Sequence, residues 1–153
     1  MTENQSSPEN PRIPRMVEQV AISALDEAEK RFDLEIGLTP FTMLIVKDTG
    51  FIEEHPASEP EESYNLARHT VQNARGAYGY AFCYDGYVDT DEGRKDALIC
   101  ECGLPSDLHS FAIASTYTKS ADAIEFSDTP QFIGLSENFM IGVKPPEEED
   151  KTN

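Results

Sequence analysis

From Ile13 onward, apolar residues recur at spacings of three and four: Ile13, Met16, Val17, Val20, Ala21, Ala24, Leu25, Ala28 and Phe32. That is the stripe one helix face turns toward a core. Pro14 suits a first helical turn, where no amide hydrogen is lost, and Asp33, Gly37 and Pro40 mark where the helix must give way. The period then changes. Phe41–Val46 is a strand-length apolar run, followed by Lys47-Asp48-Thr49-Gly50 and the short segment Phe51-Ile52-Glu53-Glu54. A turn containing glycine between two such segments predicts a β-hairpin with an edge-like second strand. Ser58-Glu59-Pro60-Glu61 opens a second helix, with Ser58 placed as its cap and Glu61 completing a capping box. Tyr64, Ala67, Val71 and Ala74 form its inner stripe, Gly76 fits the left-handed closing position, and His69 falls on the polar side.

Residues 78–88 and 96–102, joined by the polar stretch 89–95, predict a long hairpin; residues 110–118 predict another strand. Shorter strands are expected at 123–126, 131–134 and 139–143. The order is α-β-β-α-β-β-β with short C-terminal strands. It predicts an α+β domain with a mostly antiparallel sheet of five to seven strands and two helices packed on one face.

Alternation along a strand sorts side chains between two faces. Gly79, Ala81 and Cys83 fall on one side, Tyr78, Tyr80, Phe82 and Tyr84 on the other; in the next strand Ala112 and Ala114 oppose Phe111, Ile113 and Tyr117. A small-residue face admits close helices, so both helices are expected there. The aromatic face, carrying Tyr78, Tyr80, Phe82, Tyr84, Phe111, Ile113 and Tyr117, is then expected to be a homodimer or partner interface. The alternative is that later strands or the tails fold over it.

The ends change the picture of where the domain lies. Residues 1–12 and 144–153 are nearly devoid of apolar side chains and read as disordered tails, the second acidic, around a single domain at 13–143. No secretory signal or membrane-length apolar stretch is present, and the expected location is cytoplasmic. Net charge is −17, from 29 acidic and 12 basic residues. That opposes contact with nucleic acid or an anionic membrane; the charge reads first as a device of solubility, and otherwise as an acidic surface that holds a basic partner or mimics DNA.

Candidate chemistry is sparse. A four-residue turn at Asp91-Glu92-Gly93-Arg94 would set Cys83 opposite Cys102 and Asp85 opposite Cys100, gathering three thiols and a carboxylate on the small face, with His109 as a possible fourth metal ligand. Cys-x-Cys on a strand lacks the knuckle geometry of zinc sites, and buried free cysteine is a common core residue. No metal or cofactor is therefore assigned. Nucleophile elbows, phosphate loops and dinucleotide fingerprints are absent, and no catalytic residue is named. The segments Thr39-Pro40-Phe41, Lys47-Asp48-Thr49-Gly50, Tyr84-Asp85-Gly86-Tyr87 and Lys95-Asp96-Ala97-Leu98 resemble those of small bacterial α+β proteins with no assigned activity. The element order is similar to the roadblock or profilin-like arrangement, which implies a dimeric adaptor, although strands stand where the usual closing helix would be. The reading is a non-enzymatic acidic adaptor or inhibitor-type protein, with a thiol- or metal-dependent enzyme using Cys83, Cys100 and Cys102 as the alternative.

Overall fold

The computed structural model describes residues 13–143; both expected tails lie outside the described residues. The first stripe becomes α1 (Arg15–Arg31), which buries Val17, Val20, Ala21, Ala24, Leu25 and Ala28. It ends as predicted, for a local reason. Phe32 turns extended, and the Asp33 carboxylate accepts the amides of Glu35 at 2.7 Å and Ile36 at 3.1 Å. Asp33 and Gly37 then exchange backbone hydrogen bonds, a closure that Gly37 permits at φ 82°.

Strands β1 (Phe41–Val46) and β2 (Thr49–Glu54) form the expected hairpin. Helix α2 (Pro60–Gln72) follows. Its N-cap is Glu59 and no side chain caps it, so the expected Ser58 capping box does not form; Pro60 in the first turn removes one of the amides that would have needed a partner. The helix closes at Asn73, whose side chain bonds the His69 carbonyl at 2.8 Å, and Gly76 adopts its left-handed conformation three residues later.

The remaining strands are β3 (Gly79–Thr90), β4 (Gly93–Gly103), β5 (His109–Lys119), β6 (Ile124–Phe126) and β7 (Gln131–Glu137). All pair antiparallel in one seven-stranded sheet of order β2-β1-β3-β4-β5-β6, with β7 sharing the outer edge of β5. The fold is α+β, with two helices and seven strands among the described residues, in the expected order. Residues 139–143 form turns rather than an eighth strand, and Phe139 and Met140 there are fully buried. Among the described residues no helix is long and apolar enough to cross a membrane.

The two helices do not share a face. α1 packs with Ala81, Cys83, Cys100 and Cys102, whereas Ala67 and Val71 of α2 pack with Tyr80 and Phe82 on the opposite side. Topology gives the reason. β2 and β3 are both antiparallel to β1 and hence parallel to each other, so α2 is a crossover between parallel strands, and such crossovers have a nearly invariant hand. The face that α2 covers is set by that connection and not by the size of the side chains beneath it.

Candidate functional site

Register, more than composition, decides where the sequence-predicted site residues end up. The β3–β4 hairpin turns tightly through Asp91 and Glu92, with Thr90 paired to Gly93, so Cys83 faces Cys100, Ala81 faces Cys102 and Asp85 faces Leu98. This is two residues away from the register expected from a four-residue turn. The three thiols still converge, because a shift of two preserves the face. Cys100 Sγ lies 3.3 Å from both Cys83 Sγ and Cys102 Sγ. All three are wholly buried, and burial pushes their thiols up from the ordinary value, the opposite of what a nucleophile or metal ligand needs. His109 stands exposed at the start of β5. Among the described residues no group of three or more His, Cys, Asp or Glu side chains is placed to hold a metal ion.

The seven residues expected on one aromatic face are divided between two. Cys102 pairs with Phe111 and Cys100 with Ile113, so Phe111, Ile113 and Tyr117 belong to the α1 side. Directly paired residues on neighbouring strands share a face, and here large ones lie beside small ones and fill the space the cysteines leave. Tyr80, Phe82 and Tyr84 remain together on the α2 side, but Tyr80 is 0% and Phe82 2% exposed. α2 and the turn at Phe139 cover them: the Phe139 ring stacks on Tyr80 at 5.4 Å, and Tyr64 meets Phe82 and Phe139 edge-on. Tyr80 Oη also accepts the Phe139 amide at 3.1 Å and lies 2.5 Å from Ser110 Oγ. Gly103 keeps that bond possible, since a Cβ there would collide with Ser110 Oγ. Tyr78, just before β3, lies outside any strand and is 38% exposed. The expected interface is thus largely the chain's own core.

What sequence reading missed lies where α2 stops covering this face. β1 reaches along β3 only as far as Cys83, so beyond it the edge of β3 is bare, and the chain passes by at residues 38–40 and again at 57–61. The result is a pocket of about 550 Å³, within the range of roughly 300–1,000 Å³ typical of ligand sites. Tyr64, Phe82 and Tyr84 give it aromatic walls, Glu59 and Glu61 at the start of α2 and Glu101 on β4 bring carboxylates to it, and Asp85 stands at the rim with its carboxyl turned to Tyr117 on the α1 side. Among the described residues no Lys, Arg or His lines it.

Glu101 is the unusual member. It is only 7% exposed, on a central strand. Tyr84 Oη donates to Glu101 Oε2 at 2.5 Å, and Glu101 Oε1 is buried in the neighbourhood of the Ser136 hydroxyl. Burial pushes the carboxyl above the usual glutamate range, with the Tyr84 and Ser136 hydroxyls opposing, and burial together with the Glu101 charge drives the Tyr84 phenol far up. Beside the pocket, Tyr64 Oη donates to Glu137 Oε1 at 2.6 Å, and Arg68 Nη2 donates to the same oxygen at 3.0 Å. Burial and that bond push the Tyr64 phenol up to about 12. At the rim, Tyr117 Oη donates to Asp85 Oδ1 at 2.8 Å. Phenol donors therefore hold one oxygen of Asp85 and one of Glu101.

Three distinct signals hid this site. The pocket residues come from four separated segments, nothing in a strand sequence marks Glu101 as buried, and the bare stretch of β3 exists only because β1 is shorter than its partner. Compared with known proteins, the chain matches no family model, no curated protein and no solved structure.

Proposed function

We propose that this chain is a non-enzymatic acidic binding protein that receives a cationic group of a basic protein partner in the pocket between α2 and the sheet. The observation that carries this reading is the lining of that pocket: Glu59, Glu61 and the nearly buried Glu101 stand there beside Tyr64, Phe82 and Tyr84, with no Lys, Arg or His among the described residues that line it. A cationic donor is the complement that carboxylates without bases beside them would take. The aromatic walls fit the same ligand, because ring faces attract cations. Net charge of −17 would draw a basic partner toward the surface and speed encounter.

The adaptor or inhibitor role expected from composition fits this reading without the aromatic homodimer, whose surface is covered from within the chain. The thiol enzyme finds no favourable environment around its protonated, buried cysteines. The test is isothermal titration with a hexa-lysine peptide and an uncharged hexapeptide of equal length. Saturable binding of the basic peptide alone, weakened about tenfold by Glu101→Gln, supports the reading; binding that Glu101→Gln leaves unchanged would place the attraction on the general acidic surface and overturn it.

A further inference from the structure

The three thiols beneath α1 take no part in the pocket, and the register of the β3–β4 hairpin decides what they can do. We infer that Cys83 and Cys100 form an oxidisable pair: an oxidant of the peroxide class joins them in one disulfide that locks β3 to β4, and Cys102 stays a thiol. Cys83 and Cys100 face each other directly across the ladder, with their Sγ atoms 3.3 Å apart. Opposed residues of an antiparallel pair hold their Cα atoms about 4.5 or 5.5 Å apart, and both values lie inside the roughly 4.4–6.8 Å that a disulfide spans. Cys102 Sγ is also 3.3 Å from Cys100 Sγ. Its Cα, however, lies two residues along the same strand, about 6.8 Å away and at the far limit of that span. Cys102 is only a diagonal neighbour of Cys83, because its own partner is Ala81; diagonal residues stand roughly 7–8 Å apart, beyond a disulfide's reach. With a four-residue turn the pair facing each other would have been Cys83 and Cys102, so the two-residue turn selects which thiols can join.

Reaction needs access. All three sulfurs are wholly buried, Cys83 Sγ donates to the Ala24 carbonyl of α1 at 3.9 Å, and burial disfavours the thiolate form. The pair is therefore inert while α1 is seated and reacts when that helix lifts from the sheet. The ladder beneath runs from Tyr80–Gly103 to Thr90–Gly93 on its own hydrogen bonds, so the two sulfurs stay opposed when α1 leaves. One thiolate of the pair then attacks an oxygen of hydrogen peroxide; it becomes a sulfenic acid, and the hydroxide released takes up the thiol proton as water. The second sulfur attacks the sulfenic sulfur, the S–S bond forms, and the departing hydroxide takes the second thiol proton. Two thiols and one peroxide give one disulfide and two waters, the sulfurs losing the two electrons that the peroxide gains. The bridge joins the two strands at the middle of the sheet and restricts the unfolded chain.

The experiment exposes the native wild-type chain to hydrogen peroxide without denaturant, then unfolds it and alkylates the remaining thiols. A glutamate-specific protease cuts at Glu101, between Cys100 and Cys102, so mass spectrometry of the fragments tells the possible bridges apart. Cys83 is expected to be joined to Cys100, with Cys102 alone alkylated. Cys102→Ala should form the same bridge and Cys83→Ala none. The bridged chain should melt roughly 5–10 °C above the reduced one, the gain that closing a loop of about 15 residues gives a domain of this size, and a dithiol reductant should reverse it. A bridge to Cys102, sulfinic acid without a bridge, thiols left intact, or a bridge that forms only in urea would each overturn the inference. A bridge between Cys83 and Cys100 that brings no gain in Tm would overturn the lock. The wild-type fragments decide the pairing without relying on any variant's folding.

Discussion

At the scale of single residues, Glu101 sets binding against stability. Its carboxyl is held above the ordinary glutamate value of 4.5, mainly by burial. A folded-state pKa raised in this way contributes stability that is fully present below the unfolded value and is lost as pH rises through the folded one. Glu101→Gln keeps an acceptor for Tyr84 and removes the charge. At pH 7 it is expected to raise Tm by about 3 °C, the effect of about 1 kcal/mol on a domain of this size, while cation binding falls. Thermal melts between pH 4 and pH 8 check the sign: the wild-type chain should lose Tm relative to the variant as pH rises. A Glu101→Gln variant no more stable than wild type at pH 7 would mean that the Tyr84 and Ser136 hydroxyls offset the cost of burying the charge. Tyr80 is a second decisive residue, for structure alone. Tyr80→Phe leaves the buried Phe139 amide and Ser110 hydroxyl without their partner, at a cost of about 1–3 kcal/mol; urea denaturation reads it directly.

Between elements, the separation of α1 and α2 onto opposite faces makes a quantitative expectation. Ala24 on α1 and Ala67 on α2 are both fully buried, each against a different side of the sheet. Ala24→Leu and Ala67→Leu should each cost about 1–3 kcal/mol by overpacking. Because the sheet lies between them, their combined cost should equal the sum to within about 0.5 kcal/mol. Strong coupling in the double variant, measured by chemical denaturation, would indicate helices that share a core. The same architecture explains the pocket. α2 covers the middle of the aromatic face, at Tyr80 and Phe82, and leaves the far end of β3 to be enclosed by loops.

For the whole molecule, the charge imbalance opposes folding and promotes encounter at once. Like charges on the surface repel, and added salt screens them over a Debye length of about 10 Å at 0.1 M. Raising NaCl from about 10 mM to 300 mM is therefore expected to raise Tm while weakening the basic peptide's affinity. Scanning calorimetry and titration calorimetry at matched salt check the two halves. Affinity that holds at high salt would place the binding energy in the aromatic walls instead of the acids.

How much of this could be read from the chain alone depended on the range of the interaction. Both helices, the two hairpins and the ends of α1 follow from local periodicity and turn chemistry, because a stripe or a strand alternation is written in neighbouring residues. The convergence of Cys83, Cys100 and Cys102 was also legible, since it needs only alternation along one hairpin and survives a shift of two. The division of Phe111 and Ile113 from Tyr80 and Phe82 was not. It turns on how β5 registers against β4, a contact between strands whose own patterns allow either pairing. Nor did any local signal say that a crossover from β2 to β3 would carry α2 over the aromatic side. By itself the sequence determined which segments are helix, which are strand, and which faces of each are apolar. The tertiary structure alone decided which faces meet, and so buried Glu101 beside aromatic rings: burial is a property of what the rest of the chain places above a residue, and the residue's own neighbours do not encode it.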